Sequence, residues 1–129
     1  MATLKTNTLT GTTTAGSIAV TGEGNSTTTN LQQGLCKVWV NYTGVSTTAE
    51  RDSFNVTSLT DIATGKTTIT IANDFSDGDK ATLAGSPWRG ILNHDDASTG
   101  SVVLVHSSTF NSTVDDVNNN TYAIHGDLA

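Results

Sequence analysis

The fold of this chain is decided by the stretch LCKVWVNY at residues 35–42. Its side chains alternate with a period of two and include β-branched and aromatic residues, which is typical of a strand with one buried face. The predicted buried face consists of Cys36, Val38, Val40 and Tyr42. The predicted outer face carries Lys37, Trp39 and Asn41. We therefore expect a sheet that is built around this strand.

Two segments of the same kind follow, at residues 51–57 and 67–71. The second alternates cleanly and places Ile69 and Ile71 on one face. Residues 61–66 have a turn-forming composition, with Gly65 near the point of return. We therefore predict a hairpin that leads into the strand at 67–71.

The composition favours an all-β fold. Hydrophobic residues make up 35% of the 129 residues and charged residues 14%, and both shares are low for a globular protein. Threonine, serine, asparagine and glycine take their place. Disordered chains combine low hydrophobicity with high net charge, whereas charges are sparse here and threonine favours strands.

Residues 1–34 have too little apolar surface to fold by themselves. Ordering each residue costs about 1–2 kcal/mol of backbone entropy, which few large apolar side chains are present to offset. We predict an extended Thr- and Gly-rich arm at residues 1–34, either mobile or completed by another chain, and a folded domain at 35–129. Residues 17–20 predict a short strand in the arm. The candidate assembly residues of the arm are Leu4, Leu9, Ile18 and Val20.

The rest of the chain predicts more short strands, at residues 80–84, 101–106 and 122–125. The run 102–105 is continuously apolar, which indicates burial on both faces, in a sandwich centre or at a subunit interface. Val103 and Val105 are therefore further assembly candidates. Short strands at intervals of about 8–15 residues, separated by turn signals, predict an antiparallel β-sandwich or a jelly-roll-like domain.

Charge and hydropathy disfavour two classes of partner. The net charge of −6 argues against nucleic acid, which is bound by basic surfaces. No apolar run approaches the roughly 18 residues of a membrane-spanning helix. The first residues, MATLK, lack the apolar segment of a signal peptide, so we expect the chain to be made and folded in the cytosol. The single cysteine, Cys36, is expected to be a buried structural thiol.

One acidic loop suggests a metal. Asp74, Asp77 and Asp79 could offer oxygen ligands to calcium, although their spacing does not match an EF-hand. Aspartate and glycine also form turns through local hydrogen bonds, and we expect this simpler role. The sequence thus predicts no bound metal and no cofactor.

The sequence also gives little evidence of a catalytic site. His94 adjoins two carboxylates in the segment 94–96, for which we expect a solvated loop, and the other histidines lie on separate predicted strands. The pairs Asp95/Asp96 and Asp115/Asp116 could in principle supply the acid and base of a glycosidase, but adjacent side chains point apart in an extended chain. We expect no catalytic residue and no enzyme.

Two tryptophans are candidates for contacts. Trp39 lies on the otherwise polar face of its strand. It could be a core residue of a sheet covered on both sides, a subunit contact or a platform on which a sugar stacks. Trp88, with Arg89 beside it, is a similar candidate in a predicted loop.

A family resemblance lies in residues 34–44 and 51–61, GLCKVWVNYTG and RDSFNVTSLTD. They are similar to a module of tail-fibre-like structural proteins of bacteriophages, particularly marine ones, which reads roughly AKAWVNFNG and then RxS[FY]NVSS[IV]TD. With the opening TLKTNTLTG (residues 3–11), the resemblance covers about residues 2–72. Lys66 and Thr67 stand where the family has an aspartate and an aromatic residue, and residues 73–129 follow no pattern of the family.

The resemblance implies a non-enzymatic protein of the virion surface, a homotrimer in which each subunit completes its neighbour's core. Its further partners would be other virion proteins, of the tail or the major capsid. A small β-domain with an arm also suits a capsid decoration (cement) protein. A carbohydrate-binding adhesin tip that uses Trp39 or Trp88 to bind a host-surface glycan is the remaining alternative.

Overall fold

The computed structural model describes residues 3–13, 18–86, 91–94, 100–108 and 114–129. The chain divides into two compact units, residues 1–35 and residues 36–129. The division lies one residue beyond the predicted end of the arm. It separates a unit with little apolar surface from a unit that contains a hydrophobic core.

The first unit contains a hairpin and one turn of helix, so it is more ordered than a simple extended arm. Strands β1 (Ala19–Thr21) and β2 (Thr28–Asn30) pair antiparallel, and the helix α1 (Leu31–Gly34) follows. The hairpin closes because Asn25 adopts a positive φ of 55° at the turn. The Asn30 side chain caps the helix by accepting a hydrogen bond from the Gln33 N–H at 3.1 Å. Residues 3–10 form no strand.

The second unit is built of antiparallel sheets, and the predicted all-β fold is confirmed. Among the described residues, the first sheet has the strand order β4-β3-β10-β7 and the second has the order β5-β6-β9-β8. The strands of the first sheet are β3 (Val38–Thr43), β4 (Ala49–Phe54), β7 (Ala81–Gly85) and β10 (Asn120–His125). Those of the second sheet are β5 (Val56–Ala63), β6 (Lys66–Ile71), β8 (Ile91–His94) and β9 (Val102–Ser108).

The two sheets form a β-sandwich because their inner faces share one core. The first sheet contributes Val38, Val40, Tyr42, Tyr122 and Ile124. The second contributes Ile69, Ile71, Val103 and Val105, and Phe75 joins them from a loop. The inner and outer residues of β3 and β6 alternate as the sequence predicts, because each side chain of a strand points to the face opposite its neighbour's.

The run 102–105 lies in the sandwich centre, which corrects the assembly role suggested for two of its residues. Val103 and Val105 are 0% and 1% exposed and fill the core of their own unit. They have no surface left for another subunit. Their neighbours Val102 and Leu104 are only half-buried, since they point to the other face of β9.

The predicted strand 51–57 is in fact two strands that belong to different sheets. Asn55 adopts a positive φ of 60° between β4 and β5 and redirects the chain from the first sheet to the second. Asparagine enters this region more readily than other residues with a side chain. The Asn55 side chain stabilises this crossing. Its NH2 group donates to the Lys37 and Asn73 carbonyls, and its oxygen accepts from the Asn73 N–H at 2.7 Å.

The predicted hairpin exists as β5–β6 and closes within two residues. Ala63 pairs with Lys66, and Gly65 takes a positive φ of 66° that suits glycine. The Gly65 N–H donates to the Asp116 carboxylate at 2.7 Å, so the turn is anchored to a distant loop. In the described part of the chain, no helix is long and apolar enough to cross a membrane.

Candidate functional site

The first unit has an unusual surface for a folded segment. Of its described residues, 3–13 and 18–35, none is buried. Leu4, Leu9 and Val20 are 78%, 55% and 50% exposed. A concavity of about 330 Å³ lies within this unit and is lined mainly by apolar residues. Its principal apolar lining residues are Leu9, Ile18, Leu31 and Leu35.

The second candidate surface is the outer face of the β4-β3-β10-β7 sheet. Strand pairing places Phe54 beside Trp39, Trp39 beside Ala123, and Ala123 beside Leu83. One apolar residue from each strand thus forms a row across the sheet, which we call the apolar row. Phe54, Trp39 and Leu83 are 54%, 37% and 61% exposed, so the row lies on the surface of the chain.

A polar row runs beside the apolar row on the same face. It contains the next outward residue of each strand, since residues two apart share a face. The pairing aligns Asp52, Asn41, Thr121 and Gly85 across the four strands. Among the eight residues of the two rows, Asp52 alone has an ionisable side chain.

The β3, β10 and β7 members of the two rows line an open trough of about 500 Å³. Trp39 and Leu83 stand on either side and the small Ala123 lies between them, so the trough follows the β10 strand. A side chain at position 85 would crowd the end of the trough, because an added Cβ there would lie 3.1 Å from the Thr121 hydroxyl oxygen. We call this feature the Trp39 trough and define it by Trp39, Ala123 and Leu83 with the adjoining Asn41, Thr121 and Gly85.

The side chains of the polar row differ in their hydrogen bonds. The Thr121 hydroxyl donates to the Gly85 carbonyl at 3.0 Å. One Asp52 oxygen accepts a hydrogen bond from the Ser53 N–H at 2.9 Å. The Asn41 Oδ1 is shielded from solvent and has no hydrogen-bond donor within the described part of the chain. An unsatisfied buried acceptor costs about 1–3 kcal/mol.

The acidic loop does not gather its carboxylates into a metal site. The Asp77 side chain accepts from the Asp79 N–H at 2.9 Å, a local turn of the expected kind. The Lys80 Nζ lies 5.4 Å from the centre of the Phe75 ring. Burial lowers the pKa of Lys80, and the charges of Asp77 and Asp79 oppose that shift. Within the described ranges, no three His, Cys, Asp or Glu side chains are arranged to hold a metal ion.

The possible catalytic residues are spread over the molecule. His94 ends β8, although we expected it in a loop, and Asp95 and Asp96 lie outside the described residues. His106 and His125 lie on β9 and β10, in different sheets. The Asp116 carboxylate holds the Gly65 turn.

Cys36 is half-buried and less enclosed than expected. Its thiol donates to the Val38 carbonyl at 3.0 Å and lies 3.6 Å from the Ile124 carbonyl oxygen. The contact joins the start of β3 to β10. The sequence predicted a buried structural thiol; the thiol makes hydrogen bonds within the fold but is not fully buried.

Two buried tyrosines carry the strongest pKa shifts. Tyr42 and Tyr122 stack in the core with ring centres 6.4 Å apart. Burial raises the pKa of Tyr42 to about 12, and a hydrogen bond with Thr67 limits the rise. Burial and the neighbouring Tyr42 raise the pKa of Tyr122 further, and no partner for its hydroxyl is found among the described residues. Both groups remain neutral at physiological pH and belong to the core.

Of the predicted contact residues, Trp39 lies where the sequence places it, on the outer face of β3. Trp88 and Arg89 lie outside the described residues. Sequence reasoning missed the partners of Trp39, namely Phe54, Leu83 and Ala123. Each of them belongs to a different strand, and the register between distant strands is not visible in the sequence.

No protein-family model, curated protein or solved structure matches the chain.

Proposed function

We propose that this chain is a non-enzymatic structural subunit of a bacteriophage virion surface, assembling as a homotrimer through its first unit. The observation that supports the assembly is the absence of any buried side chain among residues 3–13 and 18–35. The virion assignment rests on the similarity of residues 34–44 and 51–61 to tail-fibre-like proteins.

The exposed leucines and valine of the first unit give the assembly its physical reason. Burying one such side chain contributes about 1.5–3 kcal/mol. The concavity lined by Leu9, Ile18, Leu31 and Leu35 offers space for an apolar side chain of another subunit. Three copies that exchange these contacts would bury surface that a single copy leaves in water.

The test is the mass of the full chain in solution, measured by light scattering at micromolar concentration. We expect three times the chain mass of 13.4 kDa. Leu9→Asn combined with Leu31→Asn places polar groups in the concavity and should lower the mass to that of a monomer. Ile62→Asn is the matched control, because Ile62 is 50% exposed but lies on β5 in the second unit. A wild-type chain that remains monomeric would exclude the trimer.

The position on the particle follows from a second experiment. A capsid decoration protein and a tail-fibre-like protein are distinguished by labelling this chain and imaging the virion. We favour the tail, because the resemblance is to tail-fibre-like proteins, and label confined to the head would replace that position with decoration. Label on neither would contradict the virion assignment.

A further inference from the structure

We propose that the Trp39 trough binds the ring of a neutral saccharide, with the apolar face of the sugar stacked against Trp39. This binding site is independent of the proposed trimer, since the trough lies entirely within the second unit.

The two rows match the two kinds of surface that a saccharide presents. A pyranose ring has a face of C–H groups and a rim of hydroxyls. The Trp39 trough offers an apolar wall and floor in one row and amide and hydroxyl groups in the other. The rows are about 6.8 Å apart, which is two residues along a strand. A ring that lies on the apolar row therefore directs hydroxyls toward Asn41 and Thr121.

The dimensions also suit a small ligand. Trp39 and Leu83 are two strands apart, so their Cα atoms are separated by about 9–10 Å with Ala123 between them. The volume of about 500 Å³ falls within the range of about 300–1,000 Å³ that is typical of small-molecule sites. A larger residue at position 123 would divide this space.

Asn41 supplies an observation that the fold does not explain. Its Oδ1 has no hydrogen-bond donor within the described part of the chain, although the residue lines the trough. A rotation of the amide that turned this oxygen toward the trough would let a saccharide hydroxyl provide the missing donor. Ligand binding would then offset the cost of an unsatisfied acceptor.

The charge and width of the rows distinguish a neutral sugar from other occupants. The residues that line the trough carry no charged side chain, so no ion pair is offered to an anionic sugar, and Asp52 lies next to Asn41 in the polar row. A stable protein interface buries about 800 Å² on each partner. Its central part is depleted of charged residues. The apolar row contains only one residue from each strand, and the Asp52 carboxylate lies in the row beside it. So narrow an apolar surface suits a sugar ring better than a protein partner.

The test uses the full chain and named disaccharides. We would screen it on a glycan array, then titrate maltose, cellobiose and N,N′-diacetylchitobiose by saturation-transfer NMR. We expect binding of at least one neutral disaccharide. Tryptophan fluorescence in a Trp88→Phe background, where Trp39 is the remaining tryptophan, should change on binding.

Three variants locate the site. Trp39→Ala should weaken binding on the order of tenfold or more (about 1.4 kcal/mol), because the sugar loses the ring against which its apolar face stacks. Ala123→Leu should weaken binding similarly by filling the floor, while its apolar surface is kept. Ile62→Ala removes an exposed apolar side chain from another sheet and should leave binding within twofold. Thermal melts of all three establish that they fold.

Three outcomes would overturn the proposal. A blank array and no response to the disaccharides would remove the site. Binding that survives both Trp39→Ala and Ala123→Leu would place the sugar elsewhere. A change of oligomer mass in Trp39→Ala, with no sugar binding by the wild-type chain, would assign the trough to a protein contact.

Discussion

The two units of this chain differ in whether their apolar side chains are buried. Residues 36–129 place valines, isoleucines and tyrosines between two sheets, where several are less than 2% exposed. The described residues of the first unit form a hairpin and a helical turn with no buried side chain. Regular backbone hydrogen bonds are present in both units. The difference teaches that these bonds do not by themselves create a core, because their net contribution is only about 0.5–1.5 kcal/mol each.

The largest expected effect is seen when the two units are separated. Residues 36–129 alone should unfold in one cooperative transition, because the whole hydrophobic cluster lies within them. Residues 1–35 alone should show no cooperative transition. Circular dichroism melts of the two fragments check both outcomes. A cooperative melt of the short fragment would show that residues 1–35 fold without a buried core of their own, against this prediction.

A second prediction compares one side chain from each unit. Ile69→Ala should destabilise the chain by about 2–5 kcal/mol, because Ile69 is fully buried between the sheets. Leu9→Ala should change the unfolding free energy of the second unit by less than about 0.5 kcal/mol, as exposed positions usually do. Urea unfolding curves measure both. Equal losses would mean that the first unit contributes to the sandwich core.

Alkaline pH should weaken the second unit through its two buried tyrosines. The pKa of Tyr42 is about 12 and that of Tyr122 is raised further, whereas both are near 10 when unfolded. Above pH 10 the unfolded chain loses these protons first, so stability falls by about 1.4 kcal/mol per pH unit for each tyrosine. The fall for Tyr42 ends near pH 12.

Unfolding monitored between pH 9 and 12 measures this slope. Tyr122→Phe should remove about half of it. The same variant should not lower stability at neutral pH, since the Tyr122 hydroxyl has no partner among the described residues to lose. A slope unchanged in Tyr122→Phe would show that other groups govern alkaline unfolding.

A more local effect is expected at the crossing between the sheets, at Asn55. Asn55→Ala should cost about 1–3 kcal/mol, because it loses the bonds to Lys37 and Asn73 and strains a positive φ. Asn55→Gly keeps the backbone conformation and should cost less than Asn55→Ala. Paired melts of the two variants separate backbone strain from lost hydrogen bonds. The reverse order would mean that the positive φ is not a source of strain.

The sequence predicted those elements whose signal is local. Alternation along β3 and β6 and the apolar run of β9 indicated strands, and the inward positions Val38, Ile69 and Ile71 are confirmed. Asn55 was hidden inside an apparent single strand, because its positive φ depends on the crossing between sheets. The boundary after residue 34 was predicted from the scarcity of apolar residues and lies one residue from the observed division.

The candidate site was predictable only in part. Trp39 was singled out because an aromatic side chain on a polar face is unusual. Its neighbours could not be named, since Ala123 meets Trp39 from a strand more than eighty residues away in sequence. Single strands have period-two patterns, but the pairing between distant strands depends on the whole fold. The Trp39 trough therefore became visible only when the register was known.

The pairing of β3 with β10 has a consequence for synthesis on the ribosome. Strand β3 (Val38–Thr43) leaves the ribosome well before its partner β10 (Asn120–His125), because the two strands are far apart in sequence. Contacts this far apart in sequence form slowly, and until they form β3 presents an unpaired edge. The floor of the Trp39 trough is Ala123, which also arrives with β10. A nascent chain in which β10 has not yet been made can have neither a closed core nor the Trp39 trough, so the proposed saccharide binding would require that β10 is already in place.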